Sequence, residues 1–483
     1  MKIKNLLFVP LFCGVLFTQC TSHENSRKNP NILLICVDDL RPELKCFNAE
    51  HIVSPNIDKL AENGVLFLNH YVNAPSCGPS RYTLLTGQYG PPGNNALFIR
   101  SKEKSLGNKI DPSMPEWFKE YGYTTVSVGK VSHHPGGRGG KNWNDSTIIE
   151  IPGAWDKHLM PVGEWQHPAG MMHGLAHGEI RKKPGNMDVF QSVEGNDTIY
   201  PDGLIINEAL KQLKLLADDP QKPFFLAVGI LKPHLPFGAP RKYLDLYENT
   251  TFPPIEHPQK PEGKTTWHGS GEFMKYNRWG KNPNEDKVFA EEVRHHYAAC
   301  VSYADAQVGK LIESLEQSGA YENTIIILWG DHGWNLGEHA IWGKHSLFEE
   351  SLRSPLIIQY PCNITKGSKS KAIIETIDIF PTLCELSGVD IPQFTQGKSL
   401  KTILDNPNHG GHSAISYKGN AISIRTRTHR LIVHNGGSVE LYSHTTPERE
   451  SSNIATENPE LVRQLRSMLH TRLQDDSSIK VEL

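Results

Sequence analysis

The sequence predicts an α/β sandwich built on a mostly parallel sheet, followed by a small antiparallel sheet. Three observations carry this. Continuous apolar runs recur at 31–37, 124–128, 224–230, 324–329 and 356–359, and such runs suit strands buried on both faces of a parallel sheet. Helical patterns lie between them, an alternation that argues for an α/β architecture. After about residue 412 the pattern changes to short alternating segments at 414–417, 421–426, 430–434 and 439–442.

The elements follow in order. Residues 1–19 carry Lys2 and Lys4 ahead of an apolar run from Leu6 to Phe17, broken by Pro10 and Gly14. That run is too short to span a bilayer and fits a signal peptide. Cys20 precedes a polar stretch and resembles the lipid-acceptor cysteine of bacterial lipoproteins, although Gln19 stands where a small residue is usual. Residues 20–29 read as a polar tether, 30–411 as one large α/β unit and 412–483 as a C-terminal sheet-and-helix subdomain. No other run reaches 18 apolar residues, so membrane contact would be through a lipid anchor.

Within the large unit, 54–63 has Ser54 at a cap position and Pro55 in the first turn. Residues 115–121 form a second short helix. The stretch 297–315 repeats apolar residues at Tyr297, Cys300, Val301, Ala304, Val308, Leu311, Ile312 and Leu315, a 3.6-residue period. Segments 132–200 and 250–288 lack periodicity, and irregular insertions of that length usually serve as lids or rims. Residues 459–473 read as a closing amphipathic helix.

Composition excludes several classes. At 483 residues, 38% hydrophobic and 21% charged, the chain is neither disordered nor fibrous. Its net charge of −3, about −5 without the leader, lacks the basic excess of a nucleic-acid binder. Beyond the leader and its edge, six cysteines show no C-x-x-C spacing, against a structural zinc site, and are too sparse for a disulfide scaffold.

The acids fall where chemistry is expected. Asp38-Asp39 ends the first buried strand, and Asp331-His332-Gly333 ends another. Ligands of open parallel sheets bind beyond the carboxyl ends of strands. Three carboxylates meeting there would repel unless a cation neutralised them, and oxygen donors favour calcium or magnesium. The alternative is that Asp39 and Asp331 only cap helices. Cys77-Gly78-Pro79-Ser80-Arg81 places a thiol at a helix N-terminus, which favours anions and is expected to lower the thiol pKa; a lone cysteine there can equally be structural.

That pentapeptide, followed by YTLLTGQY, resembles the signature of the type I sulfatases, in which the cysteine is oxidised to formylglycine. NILLICVDDLRPEL, SPNIDKLAENGVLF, TVSVGKV, PFFLAVGILKPHLPF and WGDHGWNLGEH also resemble that family, above all its iduronate-2-sulfatase group, in order from about residue 29 to 386. The resemblance implies an alkaline-phosphatase-like fold: a large mixed sheet between helices and a small C-terminal four-stranded sheet. It implies one Ca2+ held by Asp38, Asp39, Asp331, His332 and modified Cys77. Many sulfatases have Asn at the position of His332, whereas the iduronate-2-sulfatase group has His. It further implies that Arg81 holds the nucleophile and cation site, that Lys130 and His133 flank residue 77, and that His234 and Lys344 face the ester.

The implied activity is hydrolysis of sulfate esters on a sulfated glycan, with exo-acting 2-O-desulfation of iduronate or a related hexuronate preferred. Another sulfated sugar of an algal or host glycan is the alternative. A hydrated formylglycine supplies a hydroxyl to attack sulfur; His234 would protonate the departing sugar oxygen and His133 act as base. A maturation enzyme that generates formylglycine is an implied partner, and the protein is expected to be exported, periplasmic or anchored to the outer membrane of a bacterium. A phosphatase or phosphodiesterase of the same fold, and a catalytically silent glycan-binding lipoprotein, are the rival readings. His158, His167, His173 and His177 read as rim or surface residues, His134 as a substitute for His133, and residues 136–140 as a flexible rim loop rather than a phosphate loop.

Overall fold

The computed structural model describes residues 29–183 and 185–473. The leader, Cys20 and most of the tether lie outside the described residues, as do residues 474–483. The strands of the main sheet are β1 (Asn31–Val37), β2 (Val65–Tyr71), β3 (Thr124–Gly129), β4 (Lys157–Leu159), β5 (Phe224–Ile230), β6 (Thr324–Gly330), β7 (Leu356–Gln359) and β8 (Ser368–Glu375). Their spatial order is β8-β2-β7-β6-β1-β5-β3-β4. Among the described residues β7 alone runs against the rest, so the sheet is mixed but mostly parallel.

β1 shows why the apolar runs are continuous. Leu33, Ile35 and Val37 point into one core, while Ile32, Leu34 and Cys36 point into another. The first core is closed by α1 (Pro55–Asn63), α4 (Pro201–Ala217) and α5 (Lys287–Gln317); the second by α2 (Cys77–Thr86), α3 (Met114–Glu120) and α6 (Ile379–Ser387). With both faces covered, every β1 position from Ile32 to Val37 is apolar.

Local signals set the helix ends. Ser113 and Glu116 form a capping box at α3, with the Ser113 backbone N–H donating to the Glu116 carboxylate at 2.7 Å. Asp286 accepts the Phe289 N–H at 3.0 Å and starts α5, which therefore begins ten residues before the expected 297. Gly87, with φ 66°, ends α2 in the left-handed conformation that glycine accepts without strain.

The C-terminal sheet has the order β9 (Ala414–Lys418), β10 (Ala421–Arg425), β11 (His429–His434), β12 (Val439–Ser443), all antiparallel. One face, with Ile415, Ile422, Ile424, Leu431 and Val433, packs on α7 (Pro459–Leu473); the other, with Ala421, Ile432 and Tyr442, packs on Tyr71, Val72 and Phe348 of the main body. The alternation in the sequence reflects two faces buried against different partners.

Segment 132–200 is more than a rim. Its Trp165, Met171, Met172 and Leu175 enter the first core. The glycine run is packed rather than flexible: a Cβ on Gly137 would stand 1.9 Å from the His158 ring. Arg138 is exposed.

Candidate active site

β1 and β6 are adjacent and parallel, with Val37 opposite Gly330. Asp38-Asp39 and Asp331-His332 therefore leave the sheet at one end and meet. β3 and β5 end at the same edge and deliver Lys130 and His234, while α2 brings Cys77 at its first turn and Arg81 one turn later. The sequence-predicted residues thus converge at the carboxyl ends of four parallel strands.

Arg81 is fully buried and ties the acids together. Its Nη2 lies 3.1 Å from Asp38 Oδ1 and 2.9 Å from Asp331 Oδ2, its Nε donates to Asp331 Oδ2 at 3.0 Å, and Nη1 donates to the carbonyls of Lys130 and Val131. Lys130 Nζ pairs with Asp38, and Lys344 Nζ with Asp39 at 2.8 Å. Asp39 has φ 58°, a left-handed backbone rare outside glycine. It is held there by Tyr297, whose hydroxyl donates to its carbonyl at 2.8 Å, and by its own N–H donating to Asp331 Oδ1 at 2.9 Å.

His332 tests whether the cluster fits a cation. Its Nδ1 lies 3.0 Å from the Gly333 carbonyl, which can only accept, so Nδ1 carries the hydrogen. Burial pushes the imidazole down to about 3, so the ring is neutral and Nε2 is a bare lone pair. That lone pair faces Asp39 Oδ1 at 3.2 Å and Asp331 Oδ1 at 3.5 Å. Lone pairs and carboxylates at such range repel, and a cation among them satisfies all of them. Burial and the adjacent Asp38 charge push Asp331 up to about 6, again a sign of crowded negative charge. Ligand atoms of Asp38, Cys77, Asp331 and His332 lie within 4.8 Å of one another, as do those of Asp38, Asp39, Cys77 and His234.

Cys77 Sγ lies 3.2 Å from His332 Nε2 and 3.4 Å from Lys344 Nζ. Its thiol differs from the helix-terminus expectation. Burial, with the Asp38 and Asp331 charges, pushes its pKa well above the ordinary value and outweighs Lys130 and Lys344. The unmodified side chain is a neutral thiol and a poor nucleophile.

Above this floor opens a cavity of about 1030 Å³, lined by Cys77, His133, His234 and Lys344 and by Arg181, Lys264, Lys275 and Lys418. Glu272 is the one carboxylate among the described residues that line it. Such a cavity suits an anionic substrate with its charged group over residue 77. His133 is neutral, because burial and Lys130 hold it well below the usual imidazole range, and its Nδ1 has no hydrogen-bond partner. His134 is engaged by Glu150 at 3.2 Å, and Arg138 and Lys141 stand outside the lining.

His173, read as a rim or surface residue, lines the cavity, and sequence reasoning missed Glu272, Arg181, Lys275 and the hairpin residues Lys418 and His434, which also line it. They come from segments without periodicity or from another sheet. The legible signal was only that irregular insertions tend to rim sites.

A mixed sheet between helices, with a buried acidic cluster beneath a basic cavity, defines a site for an anionic ligand on an alkaline-phosphatase-like fold. The model of the family described as Sulfatase matches residues 30–389, and that described as N-sulphoglucosamine sulphohydrolase, C-terminal, matches 337–478. The chain belongs to the sulfatase family, whose members are sulfuric ester hydrolases. It is 30% identical over 470 residues to a sulfatase of Formosa agariphila, covering 92% of this chain and 88% of that one. It is 33% identical over 404 residues to iduronate 2-sulfatase of Mus musculus, covering 75% and 69%. A solved structure in complex with its substrate D-glucosamine-2-N,6-O-disulfate shares the fold, with TM-score 0.70 and 23% identity over 93% of this chain and 99% of that one.

Proposed function

We propose that the protein is an exported, calcium-dependent exo-sulfatase that removes the 2-O-sulfate of iduronate or a related hexuronate at the end of a sulfated glycan. The observation that carries this is the position of Cys77, between the acidic cluster and Lys344 on the floor of a basic cavity. The likeness to iduronate 2-sulfatase supports the sugar and the position. Residues 30–411 act as the catalytic unit, and 412–483 complete the cavity with Lys418 and His434. Export follows from the leader and anchoring from Cys20. Among the described residues, no helix is long and apolar enough to cross a membrane.

Asp38, Asp39, Asp331, His332 and residue 77 would hold Ca2+, a choice of hard oxygen donors completed by one imidazole. Bound there, Ca2+ would supply positive charge next to residue 77 and the sulfuryl group. Converted to formylglycine by a maturation enzyme, residue 77 supplies a hydrated aldehyde, one hydroxyl for attack on sulfur and a second whose deprotonation releases sulfate. The chain's other groups fit these needs. Arg81 fixes Asp38 and Asp331 while spending its donors on them and on backbone carbonyls. Lys130 and Lys344 balance the charge of the sulfuryl group. Neutral His133 takes a proton from residue 77, and His234 gives one to the leaving sugar oxygen.

Sulfate release from disaccharides bearing single sulfates at defined positions tests the reading. Turnover of 2-O-sulfated uronates is expected; turnover of another sugar alone would reassign the substrate within the family.

A further inference from the structure

Glu272 has no part in the chemistry above, yet its carboxylate stands beside the proton donor. It precedes a short helical turn (Phe273–Lys275) in segment 250–288 and reaches into the cavity. Oε1 lies 3.5 Å from His234 Nε2; Oε2 lies 3.6 Å from Lys344 Nζ and 3.5 Å from His345 Nε2.

The hydrogen bonds of His234 make this contact informative. Nδ1 lies 2.6 Å from the Leu235 carbonyl, an acceptor, so Nδ1 carries a hydrogen. Nε2 is left to face Glu272. A carboxylate also only accepts, so the pair attracts only when Nε2 carries a hydrogen too. The loop beneath is anchored through its backbone: Asp202 accepts the N–H groups of Leu231 and Lys232 at 2.6 and 3.0 Å, and Lys232 Nζ donates to the His234 carbonyl at 3.3 Å. The loop is therefore fixed, and the ring's aim depends on Leu235 and Glu272. His173, the nearest other ring, stands 5.5 Å from it, centroid to centroid. Lys344 depends less on Glu272, since Asp39 holds its ammonium at 2.8 Å.

We propose that Glu272 is a positioning residue: in the resting site its carboxylate holds the His234 ring with Nε2–H turned into the cavity, and the ester oxygen takes the carboxylate's place at that hydrogen when substrate binds, allowing sulfate esters with poor leaving groups to be cleaved. The inference rests on the sulfatase reading with His234 as proton donor. In that step the bond from sulfur to the sugar oxygen breaks, and its electron pair stays on the oxygen. The Nε2 proton moves to that oxygen, His234 is left neutral with Nδ1–H in place, and Glu272 neither gains nor loses a proton.

Leaving-group dependence tests this. The matured full-length protein and Glu272→Gln are compared on 4-nitrophenyl, phenyl and 4-methoxyphenyl sulfate. Nitrophenolate departs largely unaided; the other two need a proton. The kcat loss on phenyl and methoxyphenyl sulfate is expected to exceed that on nitrophenyl sulfate by about 10- to 100-fold, with KM rising by a similar factor across the series. Glu272→Asp should recover part of the difference, and in a His234→Ala background Glu272→Gln should add none. Equal loss on all three esters, as expected of a role through Lys344 or through folding, would overturn the proposal. Should Glu272→Gln fold poorly, the same comparison on Glu272→Asp decides. Failure of the matured wild type to release sulfate from these esters and from singly sulfated disaccharides alike overturns the underlying reading instead, and shows before any substitution is made.

Discussion

Cys77 Sγ lies 3.2 Å from Nε2 of His332, and that nitrogen lies 3.2 Å from Oδ1 of Asp39. The residue proposed as nucleophile and the acids proposed as metal ligands thus share one imidazole. Its tautomer is fixed on the far side by the Gly333 carbonyl at 3.0 Å, so the lone pair can only point inward.

Cation binding should follow from this arrangement. Chelation is expected to abolish turnover and added Ca2+ to restore it. Ca2+ should also raise Tm, because a ligand bound only by the folded state stabilises it, by about 2.7 kcal/mol at a hundred times its Kd. Asp331→Asn should lose most of that shift in a thermal melt. A Tm indifferent to Ca2+ in the wild type would contradict the site.

Arg81→Lys keeps the charge and loses the fork. Lysine cannot span Asp38, Asp331 and two carbonyls from a fully buried position. Breaking such a buried network is expected to cost about 3 kcal/mol in a denaturant titration and to lower kcat/KM by at least about a hundredfold. Stability and activity close to wild type would show that a single ammonium suffices.

His412 should make stability depend on pH. Its Nε2 lies 2.8 Å from Asp378 and its Nδ1 3.4 Å from Glu375, joining the main body to the start of the C-terminal sheet. Burial lowers its pKa, but those two carboxylates outweigh it and raise the value from 6.5 to about 9. A proton bound more tightly in the folded state stabilises it. That contribution, up to about 3 kcal/mol, is complete below the unfolded value near 6.5 and disappears as pH rises through about 9. His412→Leu should therefore lower Tm markedly at pH 6 and much less at pH 10; equal losses at both would exclude the linkage.

Much of the scaffold was legible because burial on both faces writes itself as unbroken apolar runs. β1, β5, β6 and β7 fall where those runs are. The acids at their ends were legible for the same reason, since an abrupt Asp-Asp after NILLICV marks a strand's exit from the core. β8 was not, because SKSKAIIE at the sheet edge mixes lysines and serines with apolar residues. β2 was hidden by its junction with α1, which leaves Gly64 as the whole connection. Glu272 could not be found from pattern at all: its partners His234 and Lys344 are 38 and 72 residues away along the chain. Nor was the state of the Cys77 thiol legible, since the helix terminus was visible in the sequence and the burial beside Asp38 was not.

The central claim is that side chain 77, once converted, is the nucleophile. The most direct measurement compares sulfate release from a 2-O-sulfated uronate disaccharide with the fraction of chains whose residue 77 is formylglycine by mass spectrometry, across preparations matured to different extents. Release should rise in proportion to that fraction and vanish with it, as it should in Cys77→Ala. Full turnover by protein in which Cys77 remains a thiol would contradict the account.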